Sequence, residues 1–146
     1  MKEVGAWIVI LLMIVSVSAY ALYVRGRKKQ KVVQLLNARV QLAHQEFGRI
    51  HFGDSRLKAQ LASEVREILS RHVPVPLDGL SPHDKFQEQL FVDTFDSMAS
   101  IEFISDLEEK YGISFRNEPS LGRDLTFREL IDLIEKRVTE LQPGDK

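Results

Sequence analysis

The most informative stretch of the chain covers residues 90–115 and reads LFVDTFDSMASIEFISDLEEKYGISF. Its apolar residues recur at spacings of three and four, which is the period of one face of an α-helix. We predict a helix from Ser97 to Tyr111, because Asp and Ser favour the first positions of a helix and Gly112 favours its end. The residues expected on its inner face are Met98, Ile101, Ile104, Leu107 and Tyr111.

One further helix is predicted on each side of this stretch. The earlier one begins after Ser55, a residue type that caps helices, and ends before Pro74. Arg66 is placed outside its buried face. The later helix begins at Thr126, where Glu129 completes a capping box. The residues expected to face inward are Leu57, Leu61, Val65, Ile68 and Leu69 in the earlier helix and Leu130, Ile131, Ile134 and Val138 in the later one.

Two loops join these helices, and a short turn is predicted around Leu121 in the second. The first loop, residues 74–94, is long for a compact domain, so it is expected to be functional or pinned by its own apolar residues. The residues expected to pin the loops are Phe86, Leu90 and Phe91 in the first and Ile113 and Phe115 in the second. No strand alternation occurs. The predicted fold is therefore all-α, with a small bundle of three long helices and one short helix at residues 55–142 and a tail at 143–146.

The N-terminus is predicted to cross a membrane. Residues 4–24 contain no charged side chain over 21 positions, which covers about 30 Å as a helix and matches the hydrocarbon core of a bilayer. Trp7 lies near one end of the run, and Tyr20 and Tyr23 lie near the other, where aromatic residues favour the interface. We therefore assign residues 1–25 to a transmembrane anchor.

The charges beside this run predict its orientation. Five cations follow it directly, and the positive-inside rule then places the rest of the chain in the cytoplasm. They are Arg25, Arg27, Lys28, Lys29 and Lys31. The alternative is a cleaved secretory signal, since residues 19–21 read Ala-Tyr-Ala and fit a small-x-small cleavage pattern. The length of the run and the cations behind it favour a single-pass membrane protein.

Residues 26–54 are predicted to form a helical stalk between the anchor and the bundle. From Lys31 to Ile50 the apolar residues form one helical stripe. Its members are Val32, Leu35, Leu36, Val40, Ala43, Phe47 and Ile50. This helix extends the anchor, lies on the lipid surface, pairs with a partner or second copy, or packs on its own domain. The domain boundary is placed at residues 51–55.

Composition excludes several functions. The chain has no cysteine, so it has no thiolate metal site and no cysteine nucleophile. Its four histidines are scattered without the spacing of a metal site, and we predict no metal. Residues 1–56 hold nine basic and three acidic residues, a net charge of +6, whereas residues 57–146 hold eleven and eighteen, a net charge of −7. The acidic second half argues against nucleic-acid binding.

Residues 90–115 closely resemble the acyl and peptidyl carrier protein family. In that family an Asp-Ser-Leu or Asp-Ser-Met triplet opens the second helix, as Asp96-Ser97-Met98 does here. A Glu follows one turn later, as at Glu102, and a Leu-Glu-Glu-x-aromatic-x-Ile stretch closes the helix, as at residues 107–113. The broader resemblance spans residues 57–141. The chain lacks the glycine that fatty-acid carriers have before the triplet, and it is more similar there to D-alanyl and some peptidyl carriers.

The resemblance implies a non-catalytic carrier whose 4'-phosphopantetheine arm, donated by coenzyme A, is attached to Ser97. Asp96 would assist the modifying phosphopantetheinyl transferase and its metal. The further partners implied are acyl- or aminoacyl-activating ligases and membrane-associated acyltransferases or synthases. Residues 84–111 hold eight acidic and two basic residues, a net charge of −6, which suits docking to basic patches on partner enzymes. The expected docking residues are Met98, Glu102, Asp106, Glu108 and Glu109.

Two physical arguments support loading at Ser97. The N-terminus of a helix favours the negative charge of a phosphodiester, and a chain without thiols needs a cofactor to carry thioesters. The alternative function is an adapter, a carrier-like bundle that is never loaded and acts as a membrane-tethered docking module. An enzyme with Ser97 as nucleophile is disfavoured, because no candidate base lies nearby in the sequence. The residues leave the cargo and the pathway open.

Overall fold

The computed structural model of the protein describes residues 2–90, 96–122 and 124–141. The α-helices within these ranges are α1 (Lys2–Asn37), α2 (His44–Phe52), α3 (Arg56–His72), α4 (Asp96–Tyr111) and α5 (Phe127–Leu141). A turn of π-helix at Phe86–Leu90 and a 3-10 turn at Pro119–Gly122 lie between them. The described ranges contain no β-strand, only one isolated bridge between Lys85 and Thr126. The predicted all-α fold is confirmed.

Helix α1 begins with the apolar run and continues well beyond it. Among the described residues it is the one helix that is long and apolar enough to cross a membrane, and none of its apolar window is buried by the rest of the protein. Length and composition fit a membrane span and a signal sequence equally. The side chains from Ile10 to Val17 and at Leu22 are exposed, as expected for a helix whose solvent is lipid.

The predicted single helix over residues 31–50 is wrong, because α1 ends at Asn37 and α2 begins at His44. Both Leu36 and Phe47 are buried in the core. The break at residues 38–43 lets these two residues reach the core from two separate helices. The chain turns there, and the Gln41 side-chain amide caps the end of α1 by donating to the Leu36 carbonyl at 3.0 Å.

An aromatic cluster joins α2 to the start of α5. The rings of Phe47, Phe52 and Phe127 are fully buried, and Phe47 meets Phe127 edge to face with centroids 5.4 Å apart. The predicted boundary at residues 51–55 falls inside this packing. The rest of the core consists of the inner faces of α3, α4 and α5, with Leu61, Val65, Leu69, Phe103, Leu107, Ile131 and Ile134 among its members.

Local signals place the helix ends as predicted. Ser55 caps α3, with its hydroxyl accepting from the Lys58 amide at 3.3 Å. The carboxylate of Glu129 accepts from the Thr126 amide at 2.8 Å, which forms the reciprocal contact of a capping box. Gly112 ends α4 with a φ of 63°, a conformation in which glycine avoids the steric cost of a side chain.

Arg66 on α3 departs from the sequence prediction. It was placed outside the buried face, but its side chain is fully buried. Its guanidinium donates to the Leu77 carbonyl through Nε at 3.0 Å and through Nη2, and it donates to the Leu42 carbonyl at 2.8 Å. The ring of Phe47 lies 4.7 Å below it. Leu57, predicted to face inward, is partly exposed instead.

Candidate functional site

The candidate site is the N-terminal half of α4. The helix begins at Asp96 and contains Ser97 as its second residue, as predicted. Residues 91–95 lie outside the described part of the chain, and so do the side chains of Asp96 and Ser97. Phe91, predicted to pin the first loop, and Phe95, which precedes the triplet, are among residues 91–95. The site can therefore be built from Met98 onward and from the loop that leads to it.

The outer face of α4 carries two large apolar side chains. Met98 and Ile101 are 70% and 68% exposed, so their predicted inward orientation is wrong. Leu107 is buried and Ile104 and Tyr111 pack partly against the core, as predicted, and the buried Phe103 joins them on the inner face. Only the start of the predicted stripe, at Met98 and Ile101, points outward.

Acidic residues flank this apolar pair. Glu102 and Glu109 are exposed, and at helical spacing they lie on the same side of α4 as Met98 and Ile101. We call these four residues the outer face of α4. It combines apolar area with negative charge, which is a surface suited to a partner whose contact patch is basic and partly apolar.

The other two predicted docking residues serve contacts within the chain. Asp106 Oδ2 lies 2.8 Å from His72 Nε2 at the end of α3. Glu108 accepts from the Phe115 amide at 2.6 Å and from the Ser114 hydroxyl at 3.3 Å, and it thereby ties down the loop after α4. Glu102 also approaches His72, at 4.0 Å from Nδ1, but its side chain stays 65% exposed. Met98, Glu102 and Glu109 thus lie together on the outer face of α4, whereas Asp106 and Glu108 make contacts within the chain.

The loop before α4 is pinned to the core, as predicted. Leu90 is fully buried, and the ring of Phe86 stacks on Phe103 and on Phe127 with centroids 5.9 and 6.3 Å away. The Phe86 amide donates to the Leu125 carbonyl at 3.0 Å. The described part of the loop, up to Leu90, is therefore held against the core.

A polar contact between α3 and α4 holds the far end of α4. Glu64 accepts from the Tyr111 hydroxyl at 3.0 Å and pairs with Lys110 at 3.2 Å. Burial alone would raise the pKa of Glu64, but the hydrogen bonds from Gln60, Tyr111 and Lys110 outweigh it and lower that pKa. Burial and the Glu64 contact raise the pKa of Tyr111, so its hydroxyl stays protonated as a donor.

We expect Glu64→Gln to destabilise the protein in a pH-dependent way. A carboxyl whose pKa is lowered by folding stabilises the folded state above its unfolded value of 4.5, and that contribution is lost as the pH falls through the folded value. Thermal unfolding of wild type and variant, followed by circular dichroism, should differ most near neutral pH and converge as the pH falls below 4.5 and through the lowered folded pKa. A difference that is constant over this range would contradict the role given to Glu64.

Within the described ranges, no group of three or more His, Asp or Glu side chains is arranged to hold a metal ion. A scan against the models of known protein families gives no match to this chain, and a search of curated proteins gives none either. The likeness to carrier proteins therefore rests on the residues of the motif and stays a prediction.

Proposed function

We propose that this chain is a membrane-anchored carrier protein. It holds acyl or aminoacyl groups as thioesters on a 4'-phosphopantetheine arm at Ser97 and presents them to membrane-associated biosynthetic or transfer enzymes. The observation that carries the proposal is the position of Ser97 in the first turn of α4, at the head of an exposed apolar and acidic face.

The start of α4 fits such a group. The first backbone N–H groups of a helix have no partner within it, and together with the helix dipole they favour a phosphodiester anion at this end. Met98, the residue after Ser97, is 70% exposed, which supports access of a modifying enzyme to this end of the helix. The arm would supply the thiol that a chain without cysteine lacks.

The outer face of α4 supports the exchange of partners. Met98 and Ile101 offer apolar contact area, and Glu102 and Glu109 offer charge for rapid, salt-sensitive encounters. A face of this size gives weak binding, which suits a carrier that must leave each enzyme it visits. Helix α1 would confine these encounters to a membrane and raise the local concentration of cargo there. The charges after its apolar run favour the cytoplasmic side, where coenzyme A is available.

Loading tests the proposal directly. The full-length protein is incubated with coenzyme A and a promiscuous phosphopantetheinyl transferase, and its intact mass is measured. We expect the wild type to gain one phosphopantetheine group and Ser97→Ala to gain none, because the hydroxyl of Ser97 is the acceptor. Ser100→Ala, one turn later on the same helix, is the matched control and should be modified like the wild type. An unmodified wild type, or equal modification of Ser97→Ala, would show that the chain is not such a carrier.

The adapter function is the second candidate, and the exposure of Met98 and Ile101 favours it as well, because docking needs no loaded arm. The two functions differ in what Ser97→Ala does in cells. A carrier loses its activity with this substitution, whereas an adapter keeps it and is inactivated by Glu102→Lys on the outer face. Glu102 is a better choice than Glu108, because Glu108 is bound to the loop at Ser114 and Phe115.

A further inference from the structure

Helix α1 does not stop where its apolar run stops. It continues without a break from Val24 to Asn37 and carries five cations in its first turns beyond the run. We call residues 25–31 the basic collar; its cations are Arg25, Arg27, Lys28, Lys29 and Lys31. The collar covers about 9 Å along the helix axis. That is close to the depth of one headgroup layer, roughly 5–8 Å on each side of the hydrocarbon core.

Among the described residues, no acidic side chain neutralises the cations of the collar from Arg27 to Lys31. Lys28, Lys29 and Lys31 are exposed, and the guanidinium of Arg27 lies 5.0 Å from the centre of the Tyr23 ring. In the part of the chain that the structure describes, no carboxylate pairs with residues 27–31. The sequence contains no Asp or Glu between Glu3 and Glu46. The described cations of the collar, from Arg27 to Lys31, thus keep their positive charge for an external partner.

The domain begins directly beyond the collar on the same helix. Leu36 is 1% exposed and belongs to the domain core, and it lies five residues beyond Lys31, about 7.5 Å along the axis. Val32 and Val33 are partly buried against the same core. The collar therefore lies between the end of the apolar run and the start of the domain.

We infer that the basic collar binds the phosphate-bearing headgroups of anionic phospholipids, an inference that rests on the membrane anchor of the proposed function. Each lysine offers a compact point charge and each arginine a planar fork that suits phosphate oxygens. The collar selects the lipids around the anchor. The carrier domain, which the continuation of α1 joins to the apolar run, then works above a patch enriched in anionic lipid.

The test uses the full-length protein in nanodiscs made of equimolar phosphatidylcholine and phosphatidylglycerol. Lipids that remain bound when the protein is released are counted by native mass spectrometry. The wild type is expected to retain phosphatidylglycerol over phosphatidylcholine by about fivefold or more, the factor that a single cation near an anionic surface contributes. In the triple variant K28Q/K29Q/K31Q this preference should fall by about fivefold or more. In K28R/K29R/K31R it should persist.

A matched control removes three exposed cations from the domain instead. R49Q/R56Q/R116Q changes the net charge by the same amount and should keep the preference of the wild type. Excess glycerol phosphate separates a lipid site from a site for small soluble anions: it should leave the bound phosphatidylglycerol in place. Displacement by glycerol phosphate, a wild-type ratio equal to that of the bilayer, or an equal loss in the domain control would each overturn the inference.

Co-flotation with vesicles of pure phosphatidylcholine separates this inference from the proposed function. Wild type and K28Q/K29Q/K31Q should both float, because insertion depends on the apolar run and not on the collar. A protein that floats without preferring phosphatidylglycerol overturns the lipid site alone. A protein that does not float overturns the membrane anchor, and the lipid site with it, but it leaves the loading of Ser97 to be judged by intact mass.

Discussion

Replacing Arg66 with methionine is expected to lower the free energy of unfolding by about 2–4 kcal/mol. Three charge-assisted hydrogen bonds to the carbonyls of Leu77 and Leu42 disappear, together with the contact to the Phe47 ring. The Leu77 carbonyl keeps its bond from the Leu80 amide at 2.9 Å, whereas the part-buried Leu42 carbonyl loses its bond from Arg66. Part of this cost is offset, because the variant no longer buries a charged guanidinium. Burial disfavours the charged form of Arg66 and lowers its pKa.

Arg71→Met on the same helix is the matched control. Arg71 is exposed and makes only a surface ion pair with Glu67, so the change in unfolding free energy should stay within about 0.5 kcal/mol. Urea unfolding of the full-length protein is followed by circular dichroism, because the single tryptophan, Trp7, lies in the apolar run and does not report on the domain. Equal losses in the two variants would contradict the part given to Arg66.

The contacts of Arg66 explain why the sequence misplaced it. Its acceptors lie 11 and 24 residues away along the chain, so no local pattern in α3 identifies them. A charged residue beside Val65 and Ile68 is ordinarily assigned to solvent. By contrast, the caps at Ser55 and Thr126 were predictable, because each cap is completed by a residue only three positions away.

The orientation of α4 shows the same limit at the candidate site. Periodicity groups Met98 and Ile101 with Ile104, Leu107 and Tyr111 on one predicted face, but only the last three pack toward the core. Which side chains are buried at the start of the helix depends on partners from elsewhere in the chain, and here Phe86 stacks on Phe103. The motif therefore located the start of the helix at Asp96, but only the tertiary packing revealed that Met98 and Ile101 are exposed.

The break between α1 and α2 also depends on contacts with residues elsewhere in the chain. Together with those contacts it forms a joint between α1 and the rest of the domain. The Leu42 amide donates to the Asp78 carbonyl at 2.9 Å, and Arg39 pairs with the buried carboxylate of Asp84. These contacts fasten the end of α1 to the loop after α3. The domain is thereby fixed to α1 at both sides of the break, because Leu36 is buried on one side and Phe47 on the other.

Gly79 lies at the centre of this joint, and Gly79→Ala is expected to open it. A Cβ atom there would lie 1.9 Å from the carbonyl oxygen and 2.7 Å from the carbonyl carbon of Leu36, both backbone atoms at the end of α1. Neither can yield as a side chain does, so the end of α1 must move away from the loop. We expect a loss of about 1–3 kcal/mol in stability, as for overpacking elsewhere. The position of the domain relative to α1 should also become less well defined.

Distance measurements can test this, since the chain has no native cysteine to interfere with labelling. Spin labels at Q34C on α1 and E109C on α4 occupy exposed positions and should give one narrow distance distribution in the wild type. Gly79→Ala should broaden it. Gly26→Ala is the matched control, because a Cβ at residue 26 meets no atom within 4 Å, and it should leave the distribution narrow.

Modification of Ser97 by a soluble transferase separates loss of the joint from loss of the fold. The Cβ at residue 79 would meet Leu36 and Gln41, whereas Met98 and Ile101 beside the loading site are exposed, so a Gly79→Ala protein that is still folded should be loaded like the wild type. Broadened distances with normal loading would mean that the joint sets the position of the domain relative to α1 and nothing more. An unchanged distance distribution in Gly79→Ala would contradict the joint, because a backbone clash of this severity cannot be absorbed without moving α1.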